Sequence, residues 1–368
     1  MNNQLKNIFE FKKLISSNSI KKIFLISGKK SFYKTGANKL LLDNLKKKNI
    51  YLYLKKSYLP EFEELKKIIN LKKNFDPDLI IAVGGGCVMD LAKISSVFNN
   101  VKDLRKKTIN SDYEQKKTKV LAIPTTAGSG AEVTSNAVLY INKIKYSVEG
   151  NLIKPDYYLL LPQLLKSSNM VLDSTACFDA ISQSIESMFS VKSNKQSIAF
   201  AEKALKILLK NSQNYLKKKN LNNSHKMLVG ANLAGKAINI SKTIAPHALS
   251  YPFTTLYGVP HGHAVSLTFN KILKFNFFNE KKSICNYNLI SRYNSLFKIT
   301  RTNNIIELDK FFENFKQNLN LEQNFKKLNI NLKRDKTKIL SSVNDQRLKN
   351  NPVKISKKDI SLIFDHIY

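Results

Sequence analysis

Residues 79–93 read LIIAVGGGCVMDLAK. Leu79–Val83 is a continuous apolar run, as a strand buried on both faces requires. Three glycines, Gly84, Gly85 and Gly86, follow it, and Val88–Phe98 then carries helical spacing. Glycine lets a phosphate oxygen approach the backbone closely, and the start of the helix turns N–H groups and positive dipole toward that anion. The stretch is not a GxGxxG fingerprint, so a plain tight turn is the alternative reading. Gly85, Gly86 and Cys87 are the candidate contacts. Asp90, on the first turn of the helix, either stabilises its dipole or touches a bound nucleotide.

The same alternation extends outward. Upstream, Lys22–Ser27 reads as a strand, Tyr33–Lys48 as a helix, Ile50–Leu54 as a strand and Glu61–Asn74 as a helix. Downstream, Val120–Ile123 reads as another buried strand. Strands alternating with helices imply a parallel sheet covered on both faces. Past Pro155–Leu165 the strand signals fade: Asp173–Phe189, Gln196–Lys210, Lys226–Ser241 and most of Ile305–Tyr368 have helical spacing. The expected fold class is α/β plus all-α, with a Rossmann-like N-terminal domain over residues 1–163 and a helical domain over 164–368. A second Gly/Thr-rich loop, PTTAGSGAEVTSNAVL, follows the strand at 120–123 and offers the hydroxyls of Thr125, Thr126, Ser129 and Thr134. Two such loops at the ends of neighbouring strands make a dinucleotide crevice.

Composition narrows the classes. The chain has 368 residues, of which 43% are hydrophobic, too many for a disordered chain despite a formal charge of +34. That charge invites a nucleic-acid reading, but only five basic residues are Arg (Arg105, Arg292, Arg301, Arg334, Arg347), and the lysines are spread along the whole chain. Solvated lysine faces fit that pattern better, so no nucleic-acid partner is expected. Three cysteines, Cys87, Cys177 and Cys285, make no complete disulfide framework and point to a reducing cytoplasm. No apolar run reaches the roughly 18–20 residues that span a bilayer, and the basic N-terminus lacks the apolar stretch of a signal peptide.

GGGCVMDLAK, then PTTAGSGAEVT, then HALSYPFTTLYGVPHGHA resemble, in order and over nearly the whole chain, the iron-containing (group III metal-dependent) alcohol dehydrogenase family. The resemblance implies the dehydroquinate synthase-like fold: an N-terminal nucleotide domain, a helical metal domain and an active site in the cleft between them. It implies NAD(P)-linked interconversion of an alcohol and an aldehyde, and a homodimer or larger homo-oligomer. Lys145 resembles the family's lysine beside the cofactor ribose; in so Lys-rich a chain a surface lysine is the other reading. At Gly28, after the first strand, many NAD-using members carry Asp. Gly28, with Lys29 next to it, admits a 2′-phosphate, so NADP(H) is permitted and NAD(H) is not excluded.

The family's metal pattern is Asp, His four residues on, then two His fourteen apart. Asp179, His247 and His261 match it, while Gln183 stands where most members place His. Asp179 and Gln183, at i and i+4, share a helix face. Two imidazoles and a carboxylate with open positions suit Fe(II) or catalytic Zn(II); Gln183 either fills a fourth position or bonds to a metal-held water. Tyr251 replaces a family His linked to proton relay, and either donates a proton or packs. His263, two residues past His261, is either a proton shuttle or a supporting group. Lys242, five residues before His247, is costly so near a metal ligand unless it faces water or an anion. Gln183, Lys242–Thr243, the HALSYP and PHGHA segments and SVNDQRLKNNP (342–352) resemble the phosphonoacetaldehyde reductase branch. That resemblance implies a small anionic aldehyde as substrate, with a general reductase of small neutral aldehydes as the rival and a polyanion-binding protein as the non-enzymatic alternative.

Overall fold

A computed structural model of the chain describes residues 2–365 except Glu114, Ser167 and Asn344. It divides into two compact units. The first comprises residues 1–169 and 218–235, the second residues 170–217 and 236–368. The helix Leu221–Ser241 therefore gives its first part to one unit and its remainder to the other.

In the first unit, β1 (Asn3–Leu5), β2 (Lys22–Gly28), β3 (Asn49–Lys55), β4 (Leu79–Gly84), β5 (Lys119–Pro124) and β8 (Tyr157–Leu159) form one sheet. Its order is β1-β8-β5-β4-β2-β3, and every pairing is parallel. The chain moves from β2 outward to β3 and then returns to β4 on the other side of β2. The switch point therefore lies between β2 and β4, where open parallel sheets bind ligands at the carboxyl ends of their strands. β4 is buried throughout, and Ile23, Leu25, Ile81 and Ile123 are fully buried. Each such side chain contributes about 1.5–3 kcal/mol, which is why these strands read as apolar runs rather than alternating ones.

Three elements depart from the sequence reading. The helix expected over Tyr33–Lys48 is two, Lys29–Lys34 and Ala37–Leu45, because Gly36 takes φ +75° between them. β6 (Asn136–Ile141) and β7 (Ile144–Glu149) form an antiparallel hairpin outside the main sheet. Its turn places Asn142 and Lys143 at φ +50° and +65°, a geometry that lysine rarely signals. β1, of three residues, pairs β8 at the sheet edge.

The second unit is helical among its described residues. Met170–Phe189, here the aspartate helix, packs against Lys195–Lys217 and against the short helix His261–Ser266. Tyr215 donates a buried hydrogen bond to Asp173 at 2.7 Å. Phe178, next to Asp179, meets Phe269 edge-on at 5.4 Å, and Phe269 meets Phe312 at 5.1 Å. Ala245–Tyr257, the histidine helix, packs through Leu249 and Phe253 into an apolar cluster with Phe325, Ile339 and Phe364. No helix among the described residues is long and apolar enough to cross a membrane.

Candidate active site

In the first unit, Gly28 ends β2 and Gly84 ends β4, each one residue past the last register pair, Ser27 with Val83, at the switch point, with Ser27 donating to the Val83 carbonyl at 2.7 Å. The helix Gly86–Val97 starts at Gly85 with no side-chain cap, so its first amides are open to a ligand. A Cβ on Gly86 would lie 3.0 Å from Ser129 Oγ, and one on Gly85 3.5 Å from Thr126 Oγ1. The glycine turn and the second loop thus face each other, with Thr125 N–H donating to the Gly84 carbonyl at 3.0 Å. The absence of side chains at Gly85 and Gly86 leaves a gap that a phosphate oxygen could enter, and a larger residue at Gly86 would crowd Ser129. Lys29 is exposed beside Gly28.

Asp90 is buried, and burial pushes its carboxyl up to about 6 against the pull of Lys93, the Val138 amide and Lys145. The same Lys145, brought over by the β6–β7 hairpin, acts on Cys87. The structure therefore gathers Gly85, Gly86, Cys87, Asp90 and Lys145 around one turn. Thr134 is buried, and its hydroxyl accepts from Lys93 at 2.9 Å.

In the second unit, one ligand atom each from Asp179, His247 and His261 lie within 4.8 Å of one another. Asp179 comes from the middle of the aspartate helix, His247 from the first turn of the histidine helix, and His261 from the start of the helix His261–Ser266. Gly262 allows that last helix to seat against the aspartate helix: a Cβ there would meet the Thr175 carbonyl at 2.1 Å and Asp179 Cβ at 2.8 Å.

Glu186 completes the arrangement, and the sequence reading missed it. It is fully buried, accepts from His247 Nδ1 at 2.6 Å and from the Ile244 amide at 2.8 Å. It follows Asp179 by seven residues and Gln183 by three, so the helical spacing of one face could have signalled it. With Nδ1 donating to Glu186, the neutral His247 ring presents its Nε2 lone pair to Asp179 Oδ1, 3.3 Å away. Both atoms are buried and make no hydrogen bond. Two acceptors so placed require positive charge, a proton or a metal ion. Burial lowers the His247 pKa, yet Glu186 and Asp179 overcome it and raise it to about 10. Burial also raises Asp179, but His247 and His261 prevail and hold it below the ordinary carboxylate value.

The donor set fits a metal. Bonds of about 2.1 Å in tetrahedral geometry separate donors by about 3.4 Å, against 3.3 Å and 4.0 Å from Asp179 Oδ1 to the Nε2 atoms of His247 and His261. Ser250 donates to the His247 carbonyl and lies 3.3 Å from His261 Nδ1, so that ring too is held from behind. Gln183 is 3% exposed, helps hold the Asp179 carboxyl low, and leaves Oε1 buried without a hydrogen-bond partner.

Of the remaining candidates, Tyr251 stacks beside His261, with centroids 6.1 Å apart and planes 22° apart. His263 lies outside the metal-donor group: its Nε2 donates to the Glu322 carbonyl at 2.6 Å. Lys242 is half-buried, at φ +63°, on the turn between two helices. Ser241 Oγ donates to its carbonyl at 3.0 Å, and Asn350 donates to the Thr243 carbonyl at 3.1 Å. Two residues on, Ile244 bonds to Glu186, so the Lys242 turn is tied to the carboxylate that orients His247.

Residues 4–162 match the family described as iron-containing alcohol dehydrogenase, and residues 174–368 match its C-terminal counterpart, Fe-containing alcohol dehydrogenase family, C-terminal. A phosphonoacetaldehyde reductase of Streptomyces viridochromogenes is 29% identical over 54% of this chain and 53% of its own, so the chain spans about half of that relative. An NADPH-dependent butanol dehydrogenase of Clostridium saccharobutylicum is 25% identical over 95% of this chain and 92% of its own. Among solved structures, sulfoacetaldehyde reductase from Bifidobacterium kashiwanohense in complex with NAD+ superposes with a TM-score of 0.87, at 21% identity, over 100% of this chain and 96% of that one.

Proposed function

The chain belongs to the iron-containing alcohol dehydrogenase family, and from that footing we propose that it reduces a small anionic aldehyde, phosphonoacetaldehyde, to its alcohol with NAD(P)H. Hydride goes from the dihydronicotinamide to the carbonyl carbon and a proton to the oxygen, giving 2-hydroxyethylphosphonate and NAD(P)+. The observation that carries the reading is the buried, mutually unsatisfied pair Asp179 Oδ1 and His247 Nε2, with His261 alongside. When bound there, Fe(II) or Zn(II) supplies the Lewis acidity that polarises a carbonyl.

The protein's own groups do the rest. Asp179, His247 and His261 hold the metal, and Gln183 Oε1 offers a fourth donor or an acceptor for water. Glu186 fixes the His247 tautomer, and Ser250 steadies His261. The proton to the developing alcohol is assigned to Tyr251, a reading its stacking beside His261 supports, whereas the Nε2 of His263 is engaged by Glu322. The glycine turn, the 125–134 loop and Lys145 bind the dinucleotide, and Lys29 beside Gly28 supports NADP(H). Lys242 supplies the counter-charge for the anion. Its left-handed backbone is a strained conformation for lysine, and the names of the Streptomyces and Bifidobacterium proteins, a phosphono- and a sulfoacetaldehyde reductase, favour an anionic aldehyde. The butanol dehydrogenase favours the rival reading, a neutral substrate.

The test is NADPH oxidation by metal-loaded protein with phosphonoacetaldehyde beside propanal. A kcat/KM at least about tenfold higher for the phosphonate, one lost charge-assisted contact in size, is expected. Equal or better use of propanal would transfer the function to a general aldehyde reductase.

A further inference from the structure

Lys93 stands on the helix Gly86–Val97, two turns behind the glycine turn, and is fully buried. A buried ammonium is costly unless hydrogen-bonded and paired. Its Nζ donates to the Ala131 carbonyl at 3.1 Å, to Thr134 Oγ1 at 2.9 Å and to the Asn136 carbonyl at 2.5 Å. Asp90 Oδ1, at 4.0 Å, supplies the counter-charge. All three acceptors lie in residues 131–136, where the second loop runs into β6. One side chain thus joins the helix that carries the glycine turn to the loop that faces it, and the two come together where Gly86 meets Ser129.

We propose that Lys93 is a positioning residue for the dinucleotide site, holding the 125–134 loop at the distance from Gly85 and Gly86 that a phosphate needs. Thr134 is the other half of this clamp, its hydroxyl serving Lys93. A loop freed from Lys93 must be ordered by the ligand itself, which lowers affinity without touching the reacting atoms. The inference rests on the reading of these two loops as the cofactor site.

The test compares Lys93→Met with Lys72→Met in the full chain. Lys72 is also buried, donates to the Phe98 carbonyl at 3.0 Å and to Asn99 at 2.9 Å, and touches neither loop, so it controls for loss of a buried lysine. Dissociation constants for NADPH and NADH are read by fluorescence titration, and kcat at saturating cofactor. The Lys93 variant is expected to raise Kd by about tenfold or more with kcat within about threefold. The Lys72 variant should leave Kd within about twofold while both lose thermal stability. Equal Kd losses in the two variants, or an unchanged Kd in Lys93→Met, would overturn the proposal. Thr134→Val and Thr134→Ser give a second readout if Lys93→Met does not fold: weaker binding in the first and retained binding in the second are expected, because serine keeps the acceptor. Equal binding by these two variants would overturn the clamp. Wild-type protein that binds neither dinucleotide would overturn the cofactor-site reading itself, and the clamp with it.

Discussion

Gly262→Ala is a one-methyl perturbation with a consequence that can be worked out. Its Cβ would lie 2.1 Å from the Thr175 carbonyl oxygen and 3.1 Å from the Asp179 amide, both backbone atoms of the aspartate helix. Carbon and carbonyl oxygen in contact need about 3.3 Å, so the helix His261–Ser266 must move back by about 1.2 Å. His261 Nε2, now 4.0 Å from Asp179 Oδ1, would retreat with it. Metal–ligand distances tolerate only about 0.2 Å, so His261 leaves the donor set. Changes behind a ligand cost about 10–100-fold in metal affinity, and displacing the ligand itself should cost at least about 100-fold. Overpacking adds a destabilisation of about 1–3 kcal/mol, which lowers the thermal midpoint without unfolding the chain. Competition against a chromophoric chelator gives the Zn(II) affinity, and circular dichroism checks the fold. A folded Gly262→Ala protein with Zn(II) affinity within about twofold of wild type would refute the reasoning, because it would mean that His261 does not hold the metal.

Glu186→Leu leaves His247 Nδ1 and the Ile244 amide without their acceptor; metal affinity should fall about 10–100-fold, and unchanged chelator competition would contradict the orienting role. Lys242→Ala should raise KM for phosphonoacetaldehyde by about tenfold or more and leave propanal nearly unaffected; equal losses on both substrates would remove the anion contact. Lys316, 3% exposed, donates to Asn270 at 2.8 Å and to the Ser266 carbonyl at 3.3 Å. Burial and then Lys271 lower its pKa to about 7, with Glu313 and Asp309 opposing. The unfolded chain keeps this proton up to about pH 10.4, so it binds more protons than the folded chain between pH 7 and that value, and this residue's contribution to stability should rise with pH across the window. Lys316→Met should flatten that rise in denaturant unfolding measured at pH 7, 8 and 9; an unchanged slope would contradict it.

The parts legible in the sequence are those written in local patterns. β4 and the glycine turn announce themselves because a doubly buried strand must be apolar and a close-approach turn must be glycine. Asp179, His247 and His261 were legible only through the resemblance to the family's metal pattern, since residue type alone did not single them out, and they lie together. Glu186 went unseen because its meaning depends on a partner 61 residues away, although it sits on the face of Asp179 and Gln183. The β6–β7 hairpin was hidden because Asn142–Lys143 adopts positive φ without a glycine to mark it, and with it the path by which Lys145 reaches Asp90. Lys93 was one lysine among many; what sets it apart is burial together with its bonds to residues 131–136. The sequence offered His263 and Tyr251 alike as proton donors; packing sets His263 against the Glu322 carbonyl and Tyr251 beside His261, and that difference is why the proton is assigned to Tyr251.

The most direct test of the account is NADPH oxidation with phosphonoacetaldehyde by wild-type and His261→Ala protein, each chelator-stripped and then resupplied with Fe(II) or Zn(II), with bound metal quantified in the same samples. The account predicts turnover only in the resupplied wild type, in proportion to bound metal, and neither metal retention nor turnover in the variant. Full activity in stripped wild-type protein, or a variant that holds metal and turns over normally, would contradict it.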